Sequence, residues 1–116
     1  MQVTIYHNPK CAKSRATLKL LERRGIEPTI IEYLKTPPSQ TELAGLVKLL
    51  GIELRALLRT KEPEYKQAGL DNLKLSDSAI LQAMIKHPKL IERPIVIAGR
   101  TAALGRPPEN VLKILK

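Results

Sequence analysis

The sequence predicts an α/β domain built on a four-stranded mixed sheet, and three observations carry that reading. Two short runs rich in β-branched residues flank a single helical segment near the N-terminus, with short links on both sides. A block of about fifty residues then reads as helix after helix. The chain closes on two apolar runs joined by a tight turn, followed by a last helix.

Residues 2–6, QVTIY, combine β-branched and aromatic side chains and form the first predicted strand, which the Asn8-Pro9 turn signal ends. A helix is predicted from about Cys11 to Arg24. Leu18, Leu20 and Leu21 supply its apolar face, Arg23 and Arg24 its basic last turn, and Gly25 the residue just beyond its end. PTIIEYL at 28–34 is the second strand. Strand, helix and strand with short links make a βαβ unit, so these strands are expected to be parallel.

Beyond Thr36-Pro37-Pro38, Ser39 and Glu42 have capping-box spacing and open a helix through Leu50 that Gly51 stops. Short helical turns are predicted over 53–59 and 63–68. Ser76 caps a further helix to Lys86, which Pro88 stops, with His87 at the helix end where a cation favours the dipole. RPIVIAGRTAALG at 93–105 reads as an antiparallel hairpin turning at Ala98-Gly99-Arg100. Pro107 and Pro108 suit the first turn of a last helix.

The order is β-α-β, helical insertion, β-β-α, which is the thioredoxin-like order. A single domain over 1–116 is expected, with its insertion at about 39–87. In such an arrangement the first loop and the segment before the third strand meet at one end of the sheet, so Cys11 and the Arg93-Pro94 pair would face each other.

Bulk properties narrow the function. With 43% hydrophobic residues in 116, a core forms without disulfides or metals. No Trp or Phe and only three Tyr leave little for base stacking, and the basic residues form no long run, so no nucleic-acid partner is expected. The formal charge of +9 favours anionic partners. One cysteine makes no internal disulfide, and Cys11, His7 and His87 do not complete a four-ligand zinc site, so no metal is expected. Neither a signal-peptide h-region nor a membrane-spanning run is present, and a cytoplasmic, reducing location without membrane association is expected.

The chemistry concentrates in HNPKCAKSR, residues 7–15. A free thiol is mostly protonated at neutral pH, and the start of a helix together with Lys10, Lys13 and Arg15 would favour its anion. The same amides bind an external oxyanion, so nucleophile and anion pocket would coincide. A small buried hydrophobe is the alternative fate of such a cysteine. Ser14 stands where a Cys-x-x-Cys motif has its second cysteine, so the thiol has no internal resolving partner. Cys11 and Arg15 are too close for a Cys-x5-Arg phosphatase loop.

HNPKCAKSR, with RALLRTKEPEY at 55–65, RPIVI at 93–97 and GRPPENVL at 105–112, resembles the glutaredoxin-dependent arsenate reductase (ArsC) family over essentially the whole chain. The resemblance implies that Cys11 attacks arsenate and that Arg59, Arg93 and Arg106 bind the oxyanion. It further implies that glutathione, a co-substrate rather than a bound cofactor, and then glutaredoxin complete the reduction. It gives His7 a part in holding down the thiolate pKa, and Pro94 a cis peptide bond. Ser14 and Arg15 are supporting residues. Guanidinium groups suit the task because they stay charged and offer planar donor forks. The rival readings are an Spx-like regulator that binds RNA polymerase, disfavoured by Ala12-Lys13-Ser14 in place of Cys-x-x-Cys, and a monothiol glutaredoxin-type protein, for which three arginines would be superfluous.

Overall fold

The first strand, β1 (Val3–Tyr6), lies at the centre of the architecture, in a computed structural model that describes residues 2–115. It pairs in parallel with β2 (Thr29–Ile31) and antiparallel with β3 (Ile95–Ala98), which pairs antiparallel with β4 (Thr101–Leu104). The resulting mixed sheet has the order β2-β1-β3-β4, as the thioredoxin-like reading requires. β1 reads inward at nearly every position because helical segments and neighbouring strands surround it.

Between β1 and β2 runs α1 (Ala12–Arg23), with Cys11 as its N-cap. Gly25 follows at φ 75°, the left-handed conformation that closes a helix C-terminus without Cβ strain. Leu21 is fully buried in a core cluster with Val3, Ile5, Val96, Ala98, Val111 and Leu115. Burying one such leucine contributes about 1.5–3 kcal/mol.

The chain divides into two compact units. One comprises the residues up to Thr36 and those from Arg93 on, the other Pro37–Glu92. The second holds α2 (Gln40–Leu50), α3 (Pro63–Gln67) and α4 (Asp77–Lys86) with two short 3-10 turns. The capping box at the start of α2 is complete: Ser39 Oγ accepts from the Glu42 N–H at 3.1 Å and the Ser39 N–H donates to Glu42 Oε1 at 2.9 Å. Gly51 ends α2 in the left-handed region. The C-terminal end of this unit is stitched to its middle by the Arg59 N–H to the Leu90 carbonyl and the Glu92 N–H to the Leu57 carbonyl, both 2.8 Å.

Two elements differ from expectation. β2 spans three residues rather than 28–34, because the chain turns at once: the Lys35 and Thr36 N–H groups both donate to the Glu32 carbonyl, and Tyr33 is buried within that turn. The last helix is a 3-10 helix over Pro108–Ile114. Its first bond, the Asn110 N–H to the Pro107 carbonyl, already has the tighter i to i+3 spacing.

Candidate active site

The loop from β1 to α1 is fixed by its own polar side chains. Asn8 accepts twice: its carbonyl takes the Cys11 N–H and its Oδ1 takes the Lys10 N–H, each at 3.0 Å. Such an Asx turn needs the short amide of asparagine. From the first turn of α1, Ser14 Oγ reaches back to accept from the Asn8 N–H at 3.0 Å and lies 2.6 Å from His7 Nδ1. Ser14 is fully buried and His7 nearly so. Arg15 Nη1 donates to the Pro9 carbonyl at 3.0 Å, so its guanidinium ties the loop to the helix.

Cys11 sits at the start of the helix with 9% of its surface exposed. Burial pushes the thiol pKa up, but the N–H groups of Ser14 and Lys13 and the Arg93 guanidinium outweigh it, and the net direction is down. No full side-chain cap bond closes on the sulfur. Its anion is favoured by oriented amides and one cation in poorly hydrated surroundings. Of the cations expected to act, Lys13 does so through its backbone amide, and the charge that matters is that of Arg93.

The remaining residues of this unit arrive from before β3 and after β4. The Arg93–Pro94 and Arg106–Pro107 peptide bonds are both cis. Arg93 Nε and Nη1 are shielded from solvent, and Arg106 Nη1 donates to the Arg93 carbonyl at 3.3 Å. Arg106 is anchored in turn, its carbonyl accepting from Asn110 Nδ2 at 3.0 Å. The Gly105 N–H donates to the Pro94 carbonyl at 2.9 Å. Cys11, Arg93 and Arg106 therefore form one connected group. Arg59 belongs to the other unit, where Nη1 meets Glu62 Oε1 at 2.7 Å and Nε lies 3.9 Å from Glu92 Oε1.

His7 is not among the groups that lower the Cys11 pKa. Burial holds its own pKa below the ordinary value, with Arg15 adding to that effect and Glu32 opposing it. A neutral imidazole against Ser14 Oγ is the form this favours at neutral pH. Glu32 escaped notice in the sequence. The parallel register Tyr6 with Ile31 places it beside His7, one residue past the end of each strand. Among the described residues no cluster of three or more His, Cys, Asp or Glu is placed to hold a metal, and no helix is long and apolar enough to cross a membrane.

Known proteins resemble this chain over nearly its whole length. The sequence profile of the ArsC family matches residues 6–114. An arsenate reductase of Haemophilus influenzae is 53% identical over 116 residues, covering 99% of this chain and 100% of that protein. The uncharacterized protein YfgD of Escherichia coli K12 is 51% identical over 98% of this chain and 97% of its own length. An arsenate reductase structure from Vibrio cholerae superposes with a TM-score of 0.97 at 57% identity, covering 99% of this chain and 98% of the other.

Proposed function

The chain belongs to the ArsC family, and from that premise we propose that it reduces arsenate to arsenite with Cys11 as nucleophile and with glutathione and a glutaredoxin as electron donors. The observation that carries the reading is the thiol at the start of α1 whose pKa is held down beside the Arg93 guanidinium. A thiolate and a fixed, desolvated cation are what attack on an oxyanion demands, since two anions must meet before a bond forms.

In the proposed sequence Arg93 and Arg106 receive the arsenate oxygens. The Cys11 thiolate attacks arsenic, and one arsenate hydroxyl leaves as water after taking up a proton. That forms a sulfur–arsenic(V) bond. A glutathione thiolate then attacks the Cys11 sulfur. The sulfur–arsenic bond breaks with its electron pair passing to arsenic, which leaves as arsenite, while the two sulfurs are oxidised to a mixed disulfide. A glutaredoxin thiolate attacks the glutathione sulfur, freeing the Cys11 thiolate and carrying off the glutathione as its own mixed disulfide. Ser14 and Arg15 hold the loop through their bonds to Asn8, His7 and Pro9. The setting this chemistry needs is a reducing one such as the cytoplasm, because the only thiol in the chain must be returned to its reduced state by another molecule.

The test is NADPH oxidation coupled through glutathione reductase, with arsenate, glutathione, glutaredoxin and the protein present together. Turnover is expected to vanish when arsenate, glutathione or glutaredoxin is omitted singly. Full turnover without glutaredoxin would overturn the proposed electron route, and no arsenate dependence would overturn the substrate.

A further inference from the structure

Beside the thiol loop lies a cavity of about 230 Å³ that the reaction as written leaves unused. Its walls are the loop His7–Lys10 and the turn after β2, with Glu32, Leu34 and Lys35. We propose that this cavity is the docking site for the zwitterionic thiol peptide, of the glutathione type, that attacks the Cys11 sulfur; the proposal rests on the function given above and deepens it.

Topology gives the first reason. β1 lies between β2 and β3, and the loop after β1 therefore has the residues that follow β2 on one side and those that precede β3 on the other. Arg93 precedes β3, so the oxyanion is held on the β3 side of the sulfur. A thiolate displaces a group from sulfur in line, approaching opposite the bond that breaks. With arsenic toward Arg93, the incoming sulfur comes from the β2 side, and that is where the cavity opens. The wall is continuous with the loop that carries the nucleophile: Lys10 immediately precedes Cys11, whose N–H is bonded to the Asn8 carbonyl at 3.0 Å.

Charge gives the second reason. Glutathione carries two carboxylates and one ammonium at neutral pH, and the cavity offers Lys10 and Lys35 for the former and Glu32 for the latter. Lys35 is extended into solvent, its side chain 80% exposed, and lies 3.6 Å from Glu32. A pair so exposed is weakly held and exchanges its partner for a ligand's charge at little cost. Leu34 and Pro9 give the peptide backbone an apolar edge. A neutral thiol has no use for this charge pattern, and a simple dianion leaves Glu32 without the ammonium it would pair.

The experiment reads the transfer of glutathione to Cys11 without arsenate. The protein is mixed with oxidised glutathione or with the neutral bis(2-hydroxyethyl) disulfide, and the mixed disulfide on Cys11 is followed by mass spectrometry. In Lys10→Gln/Lys35→Gln the rate with oxidised glutathione is expected to fall roughly tenfold or more, the cost of lost charge-assisted bonds. The neutral disulfide should react within about twofold of the wild-type rate, because in-line attack by the same thiolate is untouched. Lys19→Gln/Lys48→Gln, with the same charge change elsewhere, should leave both rates unchanged. Equal slowing with both disulfides, no slowing with either, or equal slowing in the control variant would overturn the site. In the coupled assay the cavity variant should show a raised KM for glutathione and an unchanged KM for arsenate. If the cavity variant is slowed with oxidised glutathione alone yet the wild-type protein shows no arsenate turnover, the substrate assignment fails and the cavity stands; if turnover is present and the selective slowing absent, the reverse holds.

Discussion

Replacing Gly105 by Ala adds one carbon at a place where the structure leaves no room. A Cβ built on Gly105 would collide with Thr17 Oγ1 and would lie 2.7 Å from Pro94 Cγ and 3.1 Å from Thr17 Cγ2. None of these neighbours is free to move. Thr17 is fully buried and its Oγ1 donates to the Lys13 carbonyl at 2.8 Å, while the Pro94 carbonyl holds the Gly105 N–H. Overpacking of this kind costs about 1–3 kcal/mol, and for a chain of this size each kcal/mol lowers the melting temperature by roughly 4 °C. A fall of about 4–12 °C in thermal unfolding is therefore expected for Gly105→Ala. Thr17→Ala removes two of the three offending atoms, so the cost of the added carbon should shrink in that background, a coupling that a double-mutant cycle measures directly. Wild-type stability of Gly105→Ala, or strict additivity of the two substitutions, would refute the claim that Gly105 is required for close approach rather than for chain flexibility.

Replacing Arg93 by Lys keeps the charge and loses the planar fork, so arsenate handling should drop roughly tenfold to a hundredfold in the coupled assay while thermal stability barely changes. In the same protein the pH profile of Cys11 alkylation by iodoacetamide should have its midpoint below the ordinary thiol range for wild type and move up in Arg93→Ala; coincident profiles would remove Arg93 from the control of the thiol. Because burial depresses the His7 pKa below its ordinary 6.5, the unfolded chain takes up a proton before the folded one does. Stability to urea is present above that value and is lost as pH falls through it toward the folded pKa, and this loss should flatten in His7→Gln. Finally, Ser39→Ala removes the hydroxyl that accepts from the Glu42 N–H, leaving the backbone half of the capping box in place, and should cost about 1 kcal/mol in thermal unfolding.

What the sequence made legible follows the range of the interactions. The limits of α2 are written within a few residues of each end, in Ser39 with Glu42 and in Gly51, and the structure keeps them. The pairing of β1 with β2 and the β3–β4 hairpin follow from link length alone. β2 was overestimated because an apolar run does not announce that Glu32 and Tyr33 are needed for a turn. At the site, the amides that face Cys11 are local and were foreseeable from its place before a helix. The cation is not local. Lys10, Lys13 and Arg15 are near in sequence, but a side chain's neighbours depend on strand order, which brings Arg93 to the sulfur and sends the Arg15 guanidinium to the Pro9 carbonyl. The element order set the Arg93-Pro94 pair opposite Cys11, while the oxyanion-binding role of Arg93, like those of Arg59 and Arg106, came only from resemblance to a family. The demand for glycine at 105 depends on Thr17 and Pro94 approaching from two other parts of the chain, and no local pattern carries it.

The central claim is that the only cysteine of this chain is the atom that attacks arsenate. Cys11→Ser is close to isosteric and far less nucleophilic at neutral pH, so the coupled assay on this variant, with circular dichroism to confirm that the fold is retained, tests the claim most directly. Arsenate-dependent NADPH oxidation indistinguishable from the protein-free background is the predicted result. Appreciable turnover by a folded Cys11→Ser protein would contradict it.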